Sequence, residues 1–321
     1  MADAQMRQLT LSVQHRSEIA DGVFLFELAS PDGRELPPFT AGSHITVTAP
    51  SGQKRRYSLC NDPAERHHYL IAVKQEAAGR GGSLSFTRDV NEGDAIAAEP
   101  PENEFEMAKT EPKRLIFIAG GIGITPIRAM ILQCLRQGKT SFMLYYFTRT
   151  ASAMAFRDEF SAEAFEGKVV LHHDKGDPAS AYDLWPVLEE QRGAHLYCCG
   201  PRALMDAVRD MTGHWPDSAV HFEDFVGASA SHADDTPFVV RLAKSGATYE
   251  VAAHVSILDT LRQRGHVLAS SCESGTCGTC RCHYTDGEPD HRDLVLSDDE
   301  KRRDIMICVS RAKSPSLTLD L

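Results

Sequence analysis

The spacing of apolar and polar residues divides the chain into stretches of different rhythm. Near the start, short alternating or β-branched runs occupy residues 9–15 (LTLSVQH), 22–29 (GVFLFELA), 44–49 (HITVTA), 55–60 (RRYSLC) and 69–74 (YLIAVK). Turn-forming clusters such as Pro31-Asp32-Gly33, Ser51-Gly52 and Asn61-Asp62-Pro63 separate them. Period-two patterning with this punctuation predicts strands, and several at such intervals predict a small antiparallel β-barrel. From Arg114 the rhythm changes to apolar runs in alternation with helical periodicity. LIFIAGG (115–121) precedes TPIRAMILQCLRQG (125–138), FMLYYFTR (142–149) precedes AFRDEFSAEAF (155–165), and KVVLHHD (168–174) follows. HLYCCG (195–200) then leads into PRALMDAVRDM (201–211). This is the βαβ pattern of a parallel sheet with helices on both faces. The polar stretch from Gly227 to Asp235 reads as a linker.

The expected organisation is therefore a barrel domain over residues 1–108, an α/β domain over 109–228, a linker at 229–235 and a C-terminal domain over 236–321. A chain of 321 residues is long for one core, which fits this division. Apolar content of 42% and charge of 25% are ordinary globular values, so disorder is not expected. The net charge of -11 argues against nucleic acid as a partner. MADAQMRQLT lacks an apolar core for secretion. The apolar stretch from Leu115 to Ile127 is broken by Gly120, Gly121, Gly123 and Pro126 and is too short to span a bilayer. A cytoplasmic protein with no membrane association is the expectation.

The most specific chemistry lies near the C-terminus. Cys272, Cys277 and Cys280 follow the spacing C-x4-C-x2-C, with Cys308 far downstream. That is the plant-type [2Fe–2S] spacing, in which four thiolates hold the irons and backbone N–H groups donate to the sulfides. Small residues between the thiols, including Gly275 and Gly278, permit the tight wrap. Zinc ribbons usually bring two C-x2-C knuckles instead. Cys282 lies two residues past Cys280, on the same face of an extended segment, and reads as a buried neighbour rather than a ligand.

Two further constellations suit anions. Arg55-Arg56-Tyr57-Ser58 places guanidinium and hydroxyl groups beside an aromatic ring on one strand, a set that can bind a phosphate and flank a planar ring. Gly79-Arg80-Gly81-Gly82-Ser83 leads into an expected helix, whose N-terminal N–H groups would face an anion. In the α/β segment, Gly120-Gly121-Ile122-Gly123-Ile124-Thr125-Pro126 and Cys198-Cys199-Gly200-Pro201 each join an apolar strand to a helix. Open α/β sheets bind ligands at such strand ends. Neither matches G-x-G-x-x-G.

Taken together, RRYSLCND, the Ala72 to Lys74 run, GRGGS, AGGIGITP, YCCGP, HFEDF and SSCESGTCGTC with Cys308 resemble the ferredoxin–NADP reductase superfamily. Over essentially the whole chain the resemblance narrows to the phthalate dioxygenase reductase family. It implies an FMN-binding β-barrel, an NAD-binding α/β domain and an α+β ferredoxin domain of the β-grasp type. By the same resemblance Arg55, Arg56, Tyr57, Ser58, Ala72, Val73, Lys74, Gly81, Gly82, Ser83 and Thr125 line the FMN. Phe225 covers the flavin face near the nicotinamide. Arg56 departs from the family pattern, where a smaller residue is expected, and would add a phosphate or carboxylate contact. Gly121, Thr125, Cys199, Gly200 and Pro201 are the expected walls for nicotinamide and pyrophosphate, with Thr125, Cys199 and Phe225 nearest the chemistry.

These parts imply an NADH-dependent reductase that converts a two-electron hydride into single electrons through FMN and a [2Fe–2S] cluster. The implied acceptor is a Rieske-type terminal oxygenase of aromatic catabolism, that of a phthalate system first and of vanillate O-demethylase as the alternative. A monomer is expected. A ferredoxin-like carrier module is the reading from a different class. NADH is preferred over NADPH by resemblance, although Arg149 follows the strand FMLYYF and no carboxylate comes immediately after it.

Overall fold

The computed structural model describes residues 8–76, 81–108, 112–225, 235–253, 255–270, 275, 278–293 and 295–321. Its compact units are Met1–Phe225 and Val226–Leu321.

The first unit opens with strands β1 (Leu9–Ala20), β2 (Val23–Ala29), β3 (Ser43–Thr48), β4 (Lys54–Ser58) and β5 (His68–Lys74). Helix α1 (Gly82–Asp89) and strands β6 (Ala95–Ala98) and β7 (Glu102–Asn103) follow. They form one seven-stranded antiparallel sheet in the order β4-β3-β6-β1-β2-β5, with β7 beside β3. The alternation seen in the sequence has its physical cause here. Leu11, Val13, Phe26, Leu28, Ile45 and Val47 point into one closed core, sealed by Phe86 from α1.

The chain then enters a parallel sheet of β8 (Arg114–Gly120), β9 (Phe142–Thr148), β10 (Val169–His173), β11 (Ala194–Cys199) and β12 (Val220–Glu223), ordered β10-β9-β8-β11-β12. Helices α2 (Ile124–Arg136), α3 (Arg157–Phe160), α4 (Trp185–Leu188) and α5 (Arg202–Thr212) connect the strands. The expected helix over 155–165 is cut short. Phe156 sits in the left-handed region at φ 57, and only a single turn at Arg157–Phe160 and a 3-10 turn at Glu163–Phe165 form.

The two sheets share a core, which is why residues 1–225 form one unit rather than two. Val23, Ala41, Ala72 and Phe105 from the barrel pack with Leu115 and Phe117 from the parallel sheet and Ile124 and Ile127 from α2. Polar ties reinforce this seam. Arg128 on α2 donates to the Cys60 carbonyl at 2.5 Å and pairs with Glu159 at 2.8 Å, while Arg136 pairs with Asp62 at 3.0 Å.

The second unit contains β13 (Phe238–Leu242), β14 (Thr248–Val251), α6 (Ile257–Gln263), β15 (Arg281–Asp286), β16 (Pro289–Asp290), β17 (Asp304–Met306), β18 (Arg311–Ala312) and β19 (Ser316–Leu319). The main sheet runs β14-β13-β19-β15-β17, with β13 and β19 parallel and the other pairs antiparallel. This mixed sheet grasping one helix is the expected β-grasp. Ser256 caps α6 by accepting the Asp259 N–H at 3.0 Å. The proposed linker residues 229–234 lie outside the described residues.

Candidate functional site

Three segments of the barrel converge at one corner. β4 carries Arg55, Arg56, Tyr57 and Ser58, β5 carries Ala72, Val73 and Lys74, and the N-terminus of α1 carries Gly81, Gly82 and Ser83. Gly79 and Arg80 of the same motif lie outside the described residues. Gly81 adopts φ 85, which only glycine takes at little cost, and so turns the chain into α1. A Cβ at Gly82 would meet the Arg55 guanidinium at 2.5 Å. The helix N-terminus and the arginine therefore stand against each other, and among the described residues no side chain caps the helix. Ser83 accepts the Glu76 N–H at 3.2 Å and ties the end of β5 to the same corner.

The barrel residues fit an FMN on two observations. First, a cation faces uncapped helical N–H groups, the arrangement that holds a phosphate. Second, the Tyr57 hydroxyl is buried without a hydrogen-bond partner among the described residues, while its ring packs 5.6 Å from that of Phe86. A buried orphan hydroxyl calls for a ligand atom or a water. Arg56 behaves differently from its neighbours. Its side chain turns to His44, at 2.6 Å, and to Glu104, at 2.8 Å.

The two glycine junctions of the parallel sheet meet each other. A Cβ at Gly120 would strike Pro201 Cδ at 2.5 Å, and one at Gly123 would overlap the Cys199 carbonyl. Gly120 and Gly123 are thus needed for loop-to-loop contact. Gly121, at φ 55, and Gly200 lie in the same crossing. Thr125 is buried in the first turn of α2 and donates to the Ile122 carbonyl at 3.0 Å. Cys199 is fully buried, and burial pushes its thiol well above the ordinary range, so it stays neutral.

One residue of this site was not singled out from sequence. Glu223 ends β12 directly beside Cys199 of β11, and the Ser58 hydroxyl donates to its Oε2 at a long 3.5 Å. Burial pushes the Glu223 carboxyl up to about 8. Arg56 draws it back, Glu104 adds to the rise, and the Ser58 hydrogen bond lowers it. In sequence it lies in the stretch HFEDF, two residues before Phe225, with nothing local to set it apart from a surface carboxylate. Phe225 itself is 37% exposed at the end of the unit.

In the second unit, Cys280 and Cys308 are buried, and their sulfurs approach within 2.7 Å. Cys272 and Cys277 lie outside the described residues. Gly275, between them in sequence, is packed so closely that a Cβ would meet Val309 Cγ2 at 2.6 Å. Gly275 is thereby seated on the segment that carries Cys308. Two soft, buried sulfur donors converging on one point fit an iron–sulfur centre. Cys282 packs in the same buried cluster as Cys280 and Cys308. Its thiol donates to the His283 carbonyl at 3.4 Å, and burial pushes it up to about 11.

Two parts of the chain match known family models. Residues 117–210 match the oxidoreductase NAD-binding domain, and residues 240–313 match the 2Fe-2S iron-sulfur cluster binding domain. The chain is 51% identical to phthalate dioxygenase reductase of Burkholderia cepacia, covering 98% of this chain and 97% of that one. It is 50% identical to the phthalate 4,5-dioxygenase reductase subunit of Pseudomonas putida over 97% of its length, 96% of the relative. A solved phthalate dioxygenase reductase, described as a modular structure for electron transfer from pyridine nucleotides to [2Fe–2S], superposes with a TM-score of 0.89 at 51% identity and 99% coverage of both chains. With the paired glycine junctions, the barrel corner and the converging sulfurs, these similarities establish that the chain belongs to the phthalate dioxygenase reductase family of FMN- and [2Fe–2S]-dependent oxidoreductases.

Proposed function

We propose that this protein takes hydride from NADH and delivers single electrons to a Rieske-type oxygenase that acts on phthalate, as a cytoplasmic monomer. The observation that carries the reading is full-length identity of 51% to a phthalate dioxygenase reductase, against 38% to the vanillate O-demethylase oxidoreductase of Pseudomonas putida. Among the described residues, no helix is long and apolar enough to cross a membrane.

Bound FMN would accept the two electrons of a hydride together and pass them singly to the cluster. The chain's own residues do the holding and orienting. Arg55 and the N-terminus of α1 hold the phosphate, Tyr57 donates from its buried hydroxyl, and Ala72, Val73 and Lys74 form one edge of the ring site. Gly121, Gly200 and Pro201 bring backbone close to the nicotinamide nucleotide. Thr125, Cys199 and Phe225 line the reacting face, and Ser58 with Glu223 supplies a hydroxyl–carboxyl pair beside it. Cys272, Cys277, Cys280 and Cys308 ligate the cluster.

Loss of Arg55 tests the phosphate site. Arg55→Ala is expected to weaken FMN binding by about 10- to 100-fold, since a hydrogen bond to a charged group contributes roughly 1.5–3 kcal/mol. Flavin fluorescence titration of the apoprotein measures it, and unchanged affinity would remove Arg55 from the site. The partner is tested by coupled turnover of purified reductase with phthalate and vanillate oxygenases, using NADH and NADPH in turn. Product from the phthalate system with NADH supports the proposal. Faster turnover with the vanillate oxygenase, or with NADPH, overturns the corresponding part.

A further inference from the structure

Arg56 stands in the flavin segment, yet its guanidinium is committed to protein groups. Its Nε–H donates to His44 Nε2 at 2.6 Å, where the imidazole nitrogen must accept because a guanidinium only donates. Its Nη2 pairs with Glu104 Oε1 at 2.8 Å. The Arg56 side chain is 16% exposed and that of Glu104 is 48% exposed, so the pair reaches from the interior of the site to solvent. Strand geometry fixes what lies at the inner end. Arg56 and Ser58 are two residues apart on β4 and share a face, His44 stands opposite Ser58 in the register with β3, and Ser58 donates to Glu223.

From this arrangement we infer that Arg56 and Glu104 together control the ionisation of Glu223, which makes Arg56 a positioning residue for the carboxyl at the reacting face rather than a ligand of the FMN phosphate. This inference rests on the proposed placement of Ser58 and Glu223 beside the flavin. A carboxylate buried without a cation is strongly disfavoured, and an opposite charge nearby restores it. Arg56 is that cation, and its charge lowers the Glu223 pKa. Glu104 shares the same guanidinium and acts in the opposite sense. Among the described residues, the other groups around Glu223 are the Ser58 hydroxyl from β4, His44 from β3 through Arg56, the neutral Cys199 from β11, and Asp224 next in the chain, itself 3.6 Å from Arg202 of α5. Arg56 is the cation of this set that acts on Glu223.

The consequence is a pair of substitutions with opposite signs. In the full-length, FMN-loaded protein, the flavin midpoint potential and the rate of flavin bleaching by NADH are followed against pH. Arg56→Thr removes the cation and is expected to move the inflection of both profiles upward by about one pH unit or more. Glu104→Gln frees Arg56 from its competing carboxylate and is expected to move the inflection downward, and Arg56→Lys is expected to keep it near the wild-type position. Because Glu104 is half-exposed, its variant decides the matter even where Arg56→Thr fails to fold. Glu223→Gln separates the two levels of the argument. If it retains the wild-type inflection, the site reading fails. If it abolishes the inflection while Glu104→Gln leaves the position unchanged or raises it, the control by Arg56 and Glu104 is overturned.

Discussion

Replacing Cys308 with serine is expected to abolish one-electron output while sparing hydride uptake. Cys308 is fully buried beside Cys280, and a hydroxyl is a harder, poorer ligand for this iron than a thiolate. Cluster occupancy, read by iron and sulfide analysis and by the EPR signal of the reduced protein, should fall to near zero. Reduction of a one-electron acceptor that requires the cluster should drop by about 100-fold or more. Reduction of ferricyanide directly from the flavin should stay within about twofold. Cys282→Ser supplies the contrast, since its thiol donates to a carbonyl and packs among β15 neighbours. Full cluster content in Cys308→Ser, or its loss in Cys282→Ser, would exchange the two assignments.

The second large effect is expected at Glu223. Glu223→Gln keeps the shape and a hydrogen bond to Ser58 but removes the titrating group, and flavin reduction by NADH should slow by about 100-fold, as for loss of a positioned acid–base group. Stopped-flow bleaching of the flavin measures it, and a rate within a few-fold of wild type would take Glu223 out of the chemistry. The same substitution has a signature in stability. Burial raises the folded-state carboxyl to about 8, so between the usual carboxylate range and that value the native state keeps a proton that the unfolded chain has released. Wild-type stability attributable to this group is fully present at acidic pH and is lost as pH rises towards 8. The glutamine variant lacks that loss. Its melting temperature should match wild type near pH 5 and exceed it near pH 9, the reverse of the order expected for a carboxylate held by a salt bridge.

What the sequence disclosed follows from how local each signal is. The barrel strands and the βαβ rhythm were legible because one face of each element is buried and leaves a period in the residues, as Leu11, Val13, Phe26 and Leu28 show. The cysteine spacing was legible because a small rigid cofactor demands fixed intervals. Glu223 was not, because its importance comes from Ser58, Arg56 and Cys199, which are far apart in the chain and are brought together only by the two sheets. Arg56 could be recognised from sequence as a departure, but the choice between phosphate and carboxylate needed its geometry. The truncated helix after Phe156 was hidden because a positive φ at an aromatic residue leaves no compositional mark.

The common core of the barrel and the parallel sheet also bears on how this part of the molecule comes apart. With Val23, Ala72 and Phe105 packed against Phe117 and Ile127, a fragment ending near residue 108 would expose an oily surface to water and tend to precipitate. The barrel is therefore expected to melt together with the parallel sheet it packs on, with no separate transition of its own in calorimetry.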